Sequence, residues 1–364
     1  MTFPIRAPNL LASLALATLA ACTAPESSPT GLAPSEGALT AKPSSGSSPY
    51  SVAVLAGPAN YPRTEPWDVN DAGMVAGHAW STDGRELRGF VRIGGAIAIV
   101  PPATARSSVS AISNGNPTYV IGSVDQGGFG GTARWTITNG VVGDPEINTV
   151  RGGGTSVNDL GTGIGGRWIW PLSGSSVEVP IPEDYTSLVG TDIDNEGHAV
   201  FNASGSPTLV DRAYVRFADE EMLPLRPPAG YEAWATTANG ITEVSANGVF
   251  YVSGSIRIDD VTCFAVLWTV SVAGRTATPS VRFERYGSAT GVSTAGTLVG
   301  VQGSRWSINA YAWPLAGATI KLPVPKAMKN PKPQAISPDG RYVVGYGDES
   351  GLQRQGLVWT RTAP

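Results

Sequence analysis

The chain has 364 residues, of which 45 are glycine, 29 are proline and only 15% are charged, with a formal net charge of −4 at pH 7. Many glycines and few charges suit short strands joined by tight turns and argue against long solvated helices. A net negative chain gains nothing from counterion release, which excludes nucleic acid as an expected partner. Two cysteines are too few for a disulfide framework.

In chain order, the first element is "MTFPIRAPNLLASLALATLAACTAPESS". Arg6 and the amino terminus supply a positive end, and Leu10 to Ala21 make a twelve-residue apolar run. Such a run is too short to span a bilayer and has the length of a cleaved export signal. Its end, "LAAC" from Leu19 to Cys22, resembles the bacterial lipoprotein signal. The resemblance implies loss of residues 1–21 and acylation of Cys22 as the new first residue. With Thr23 following instead of Asp, it also implies sorting to the outer membrane. Acyl chains would anchor the protein to the cell envelope without any transmembrane helix.

Residues 22–49 form the next segment. Of the 27 residues after Cys22, 22 are Ala, Pro, Ser, Thr or Gly, so no apolar face can form. This is a flexible tether, with a typical span of about 30 Å.

From residue 50 to 364 one template recurs: a β-branched residue, a small polar residue and a glycine four positions on. Copies begin at Val69 (VNDAG), Ile112 (ISNGN), Val157 (VNDLG), Ile193 (IDNEG), Val244 (VSANG), Val292 (VSTAG) and Ile336 (ISPDG). Six carry the glycine in place; the second has Asn116, the next residue after glycine to tolerate positive φ. The template reads as a hairpin turn whose last residue is left-handed. A second strand follows each turn, as in "MVAGHAW" or "RYVVGYG". A third ends at Arg92, Trp135, Trp170, Arg216, Trp268, Trp313 or Trp359. A fourth strand ending in proline is clear in "AIAIVPP", "VEVPIP", "EMLPLRPP" and "TIKLPVP", and copies two and five lack a clear version. Copy three has a curtailed second strand through "TGIGG".

Units of four short strands, repeating every 36 to 51 residues, cannot bury their faces singly. Seven of them predict an all-β fold, a seven-bladed β-propeller over residues 50–364. Copy seven has no fourth strand before the chain stops, and "YSVAVLAGP", residues 50–58, supplies the missing one. Ser51–Leu55 are therefore expected to close the ring.

The template resembles the HAF repeats of bacterial extracellular proteins, whose units read roughly "IN..G.VVG" and then "HAF.W", over residues 65 to 360. The third strands depart from it, beginning "RGF", "RAY", "NAY" and "QGL", and His78 in "GHAW" lies on a second strand. The resemblance implies an extracellular location and a repeat fold, not an activity.

Little in the chain announces chemistry. Residues just before the β-branched position, among them Asp68, Asp192 and Glu243, are expected to face the central channel, where three carboxylates suit a cation or a basic group. "DIDNEG" has alternating acids before a glycine, as calcium loops do, but lacks their downstream carboxylate, and turn chemistry accounts for it more simply. His78 and His198 have no metal-ligand spacing and read as strand-surface residues. Cys263 opens an apolar strand and reads as a buried small side chain. Trp67, Trp80, Trp234 and Trp306 lie off the repeated third-strand position; exposed indoles there, Trp67 and Trp306 above all, suit stacking on sugar rings. The expected function is that of a lipid-anchored, monomeric, non-catalytic binding or scaffolding protein without metal or cofactor, facing an envelope protein or glycan. The alternatives are a carbohydrate-binding module, and a glycan hydrolase or lyase using Asp68, Asp192 and Glu243 as acid and base, which needs two carboxylates about 5 to 10 Å apart.

Overall fold

The computed structural model describes residues 48–102, 106–126, 129–206, 208–258, 262–282, 286–304, 307–349 and 353–362. The export signal, Cys22, nearly all of the tether and Trp306 lie outside the described residues. The rest is built from seven antiparallel sheets, six of four strands and one of five. Each sheet packs on the next in chain order, and the seventh packs on the first. The chain is a seven-bladed β-propeller.

Blade 1 runs Arg63–Val69, Val75–Trp80, Leu87–Ile93 and Ala96–Ile99 from the axis outward. Blade 7 runs Lys329–Ile336, Tyr342–Glu349 and Gln353–Arg361, and its outermost strand is Tyr50–Leu55. That strand pairs antiparallel with Gln353–Arg361 from Tyr50↔Arg361 to Leu55↔Gly356. Thr362 adds its backbone N–H to the Pro49 carbonyl at 2.7 Å. The expected closure by Ser51–Leu55 is what the structure shows.

Apolar residues gather between neighbouring blades. Ala76 and Val91 of blade 1 join Val109, Val120 and Trp135 of blade 2, while Leu55, Val344 and Val358 of blade 7 join Val69, Val75 and Phe90 of blade 1. Blades stick by these interfaces because a single twisted sheet cannot cover its own faces.

Two recurring details explain the template. Every innermost strand carries a β-bulge, placed between Pro66 and Asp68, Val109 and Ala111, Gly154 and Ser156, Gly190 and Asp192, Ala238 and Gly240, Ala289 and Gly291, and Pro333 and Ala335. Opposite the bulge, in six blades, sits a second-strand glycine, as Gly77, Gly122, Gly254, Gly300 and Gly345 illustrate. A Cβ on Gly300 would run into the Ser288 carbonyl oxygen, so the bulged backbone comes too close for a side chain. Blade 4 inverts the arrangement, with Gly190 on the innermost strand facing buried Phe201.

The second detail is the turn. Its polar second residue accepts the backbone N–H that follows the bend: Asn70 from Met74, Ser113 from Tyr119, Asp194 from His198, Ser337 from Tyr342. Gly73, Gly161, Gly197, Gly248, Gly296 and Gly340 all have positive φ, as the template requires. Asn116 is not among the left-handed residues, contrary to expectation; Pro117 follows it, and proline pushes its predecessor to extended conformations. Copies two and five do possess outermost strands, Glu146–Arg151 and Thr276–Val281. They escape the sequence template because neither ends in the proline that marks the others.

Candidate functional site

The polar residues nearest the axis form cross-blade braces. Asp68 follows the bulge of blade 1; its Oδ1 accepts the N–H of Val69 and its Oδ2 the N–H of Ile112 in blade 2, both at 2.8 Å. Asp192 repeats the device three blades on, accepting from Ile193 at 3.0 Å and from Ile241 of blade 5 at 2.8 Å. Ser156 of blade 3 donates its hydroxyl to Asp192 Oδ1. Burial pushes Asp68 up to about 7 and Asp192 to about 6, against the pull of these N–H donors. The negative charge of Asp192 adds to the rise at Asp68.

Glu243 stands elsewhere. In blade 5 the innermost strand ends at Ile241, three residues before Val244, because the bend there is longer. Gly240, not Glu243, therefore occupies the level of Asp68 and Asp192. Glu243 lies on the turn rim and accepts the backbone N–H of Asn195 in blade 4 at 3.0 Å. Burial raises it to about 7, with Asp194 and Asp159 contributing.

That contact belongs to a belt around the rim. Asp71 N–H donates to Asn114 Oδ1, Asn114 N–H to Asp159 Oδ1, and Asp159 N–H to Asn195 Oδ1, at 2.6 to 2.7 Å. Asp339 N–H donates to Asp71 Oδ1 at 2.8 Å, carrying the belt from blade 7 to blade 1. A second belt runs along the bulges: Thr155, Thr191, Asn239 and Thr290 each donate to a carbonyl of the following blade, those of Gly190, Ala238, Ala289 and Pro333. Two of the three acids of "DIDNEG" are likewise engaged, Asp192 as a brace and Asp194 by its turn and by His198.

Neither histidine is the strand-surface residue expected. His198 is buried, with Nδ1 2.9 Å from Asp194 Oδ2 and its ring stacked on Phe250. His78 is buried where blade 1 meets blade 7: Trp67 Nε1 donates to its Nδ1 at 3.0 Å, and its Nε2 lies 3.4 Å from Glu65 Oε2. Glu65 also accepts from Trp80 Nε1 at 3.2 Å and from Arg354 of blade 7 at 3.0 Å. Burial would raise Glu65, but His78 and Arg354 outweigh it and hold the carboxyl below its usual range. Sequence reasoning missed this cluster; the available signal was a carboxylate and a histidine at paired positions of neighbouring strands. Trp67 and Trp80 are half-buried, with their N–H groups turned inward. Trp234 is half-buried against Tyr231, and Cys263 is buried at the start of its strand.

No protein-family model matches the chain, nor does any curated protein. Among solved structures it is similar to a Trypanosoma rangeli sialidase in complex with 2,3-difluorosialic acid, with 8% identity and a TM-score of 0.44, over 86% of this chain and 58% of that one. It is also similar to a subtype N10 neuraminidase-like protein of a little yellow-shouldered bat strain (9% identity, TM-score 0.41, 69% and 93% covered). A protein described by family as a gluconolactonase is similar at 13% identity and a TM-score of 0.38, over 63% and 84%. Neither substrate nor activity transfers at such distances. The propeller assignment rests on this chain's own strand pairing.

Proposed function

We propose that the protein is a non-catalytic binding or scaffolding propeller, presented on the outer membrane by acylated Cys22 and held clear of the lipid by its tether. One observation carries the non-catalytic half: both oxygens of Asp68 and of Asp192 are committed to N–H donors of the ring wall. The carboxylates that sequence singles out as acid and base thus serve to fasten blades. The anchoring half rests on the "LAAC" motif, and the repeats' likeness to HAF units supports an extracellular setting.

Affinity capture from native envelope tests the reading. Full-length protein labelled by a fatty-acid analogue at Cys22 is expected to retain a specific envelope protein, and Cys22→Ser to lose both label and membrane fraction. Glycan turnover by the wild type that Asp68→Asn abolishes would replace the scaffold with the hydrolase. A carbohydrate-binding variant of the reading draws on Trp67 and Trp80, half-buried indoles packed about His78 with part of each ring reaching solvent. Saturable binding on a glycan array, lost in Trp67→Ala, is its expected signature.

A further inference from the structure

The third strand of a blade usually ends in tryptophan, and in three blades that side chain fastens the blade behind it. Trp135 Nε1 donates to the Pro101 carbonyl of blade 1, Trp268 to Arg226 of blade 4 and Trp359 to Pro323 of blade 6, at 2.6 to 2.8 Å. All three indoles are fully buried. Blades 1 and 4 depart from the rule with Arg92 and Arg216, and the blade behind blade 4 is the shortest of the ring, its strands only 4, 3, 3 and 2 residues long. Arg216 and the short blade coincide at one interface.

A cavity of about 290 Å³ opens there, near the lower bound of about 300 Å³ for small-molecule sites. Leu160, Ile169 and Val177 form its apolar wall, with Leu160 60% and Val177 42% exposed. Arg216, Glu196 and Glu220 supply its charges. The Arg216 side chain is 9% exposed, and its guanidinium meets Glu220 Oε1 at 3.1 Å. Glu220 is itself 75% exposed, so this ion pair is weak and readily exchanged. A nearly buried guanidinium presents a planar fork suited to a carboxylate. Glu196 is exposed, and either glutamate can receive an ammonium group. Local rule-breaking of this kind marks sites kept for something other than folding.

We propose that this cavity binds a small zwitterion with an apolar body, a free apolar α-amino acid. Its carboxylate takes Arg216 from Glu220, its ammonium group pairs with Glu220 and Glu196, and its side chain covers Ile169, Leu160 and Val177. A zwitterion engages both signs of the lining at once, its carboxylate meeting Arg216 and its ammonium group the glutamates.

Calorimetric titration of the full chain with leucine, N-acetyl-leucine and leucinamide tests the proposal. Leucine is expected to bind saturably, and each blocked analogue at least about tenfold more weakly. Arg216→Gln and Glu196→Gln are each expected to weaken leucine about tenfold or more. Because Arg216 is nearly buried, the exposed Glu196 variant, with an unchanged melting temperature, keeps the test independent of folding. Absence of saturable leucine binding up to about 10 mM, an analogue binding as tightly as leucine, or undiminished binding by a folded Glu196→Gln overturns it. Envelope capture by the ring does not depend on this cavity, so the two readings fail separately.

Discussion

Asp68 accepts two backbone N–H groups, one in its own blade and one in the next. Asp68→Ala strands the Ile112 N–H, and a buried donor without a partner costs about 1–3 kcal/mol. The same carboxyl makes the ring pH-sensitive. Asp68, Asp192 and Glu243 all have native values raised by burial, to about 7, 6 and 7, against about 4 in an unfolded chain. Between those limits the folded state holds more protons than the unfolded one, so stability falls as pH rises from about 4 to about 7. Glu65, lowered in the native state, acts oppositely and loses its contribution as pH falls below about 4. Urea midpoints at pH 4.5, 6 and 7.5 are therefore expected to descend, with Asp68→Ala costing more at pH 4.5 than at 7.5; a flat or rising series refutes the assignment. At this scale the sequence was half legible. The turn glycines are short-range requirements and can be read from five residues. The rim belt joins Asp71 to Asn114 and Asn114 to Asp159, so the role of the template's third residue emerges only when blades meet. His78 looked ordinary because Glu65 and Trp67 reach it through register and a bulge, and Arg354 reaches Glu65 only through ring closure.

Between residue and fold, the bulge and its facing glycine act as one unit. The "V-x-G" signature was legible as a repeat, while its cause was not, since a bulge on one strand dictates a residue on another. Gly300→Ala is expected to cost about 3 kcal/mol or more, because the clash is with backbone, which cannot rotate away. Gly130 has open space around its Cβ position, and Gly130→Ala is expected to be near neutral. Chemical denaturation of the pair checks the contrast, and equal costs would remove the bulge from the explanation. Blade 4 adds the converse: the glycine sits on the innermost strand as Gly190, and Phe201 takes the facing second-strand position and is fully buried, so Phe201→Ala is expected to cost about 3–5 kcal/mol. The third-strand tryptophans were legible as core, but the meaning of Arg216 in their column needed the short blade beside it.

For the whole molecule, closure decides stability. Without Tyr50–Leu55, the strand Gln353–Arg361 becomes an edge with a row of unpaired backbone groups. Tyr50 and Leu55 are 4% and 5% exposed and belong to the cores between blades 6 and 7 and between blades 7 and 1. Burial of two such side chains is worth about 3–6 kcal/mol, before the bonds from Gln355 and Thr64 to the Leu55 carbonyl are added. Deleting residues 50–58 while keeping the preceding tether is therefore expected to lower the melting temperature sharply and to favour dimers paired through the exposed edge. A synthetic peptide spanning residues 48–58, added in trans, is expected to restore much of the lost stability, because the missing strand makes its contacts from outside the ring whether or not it is covalently attached. An unchanged melting curve after deletion would show that seven blades hold together without their splice, and failure of the peptide to rescue would assign the loss to the tether connection instead of to the strand.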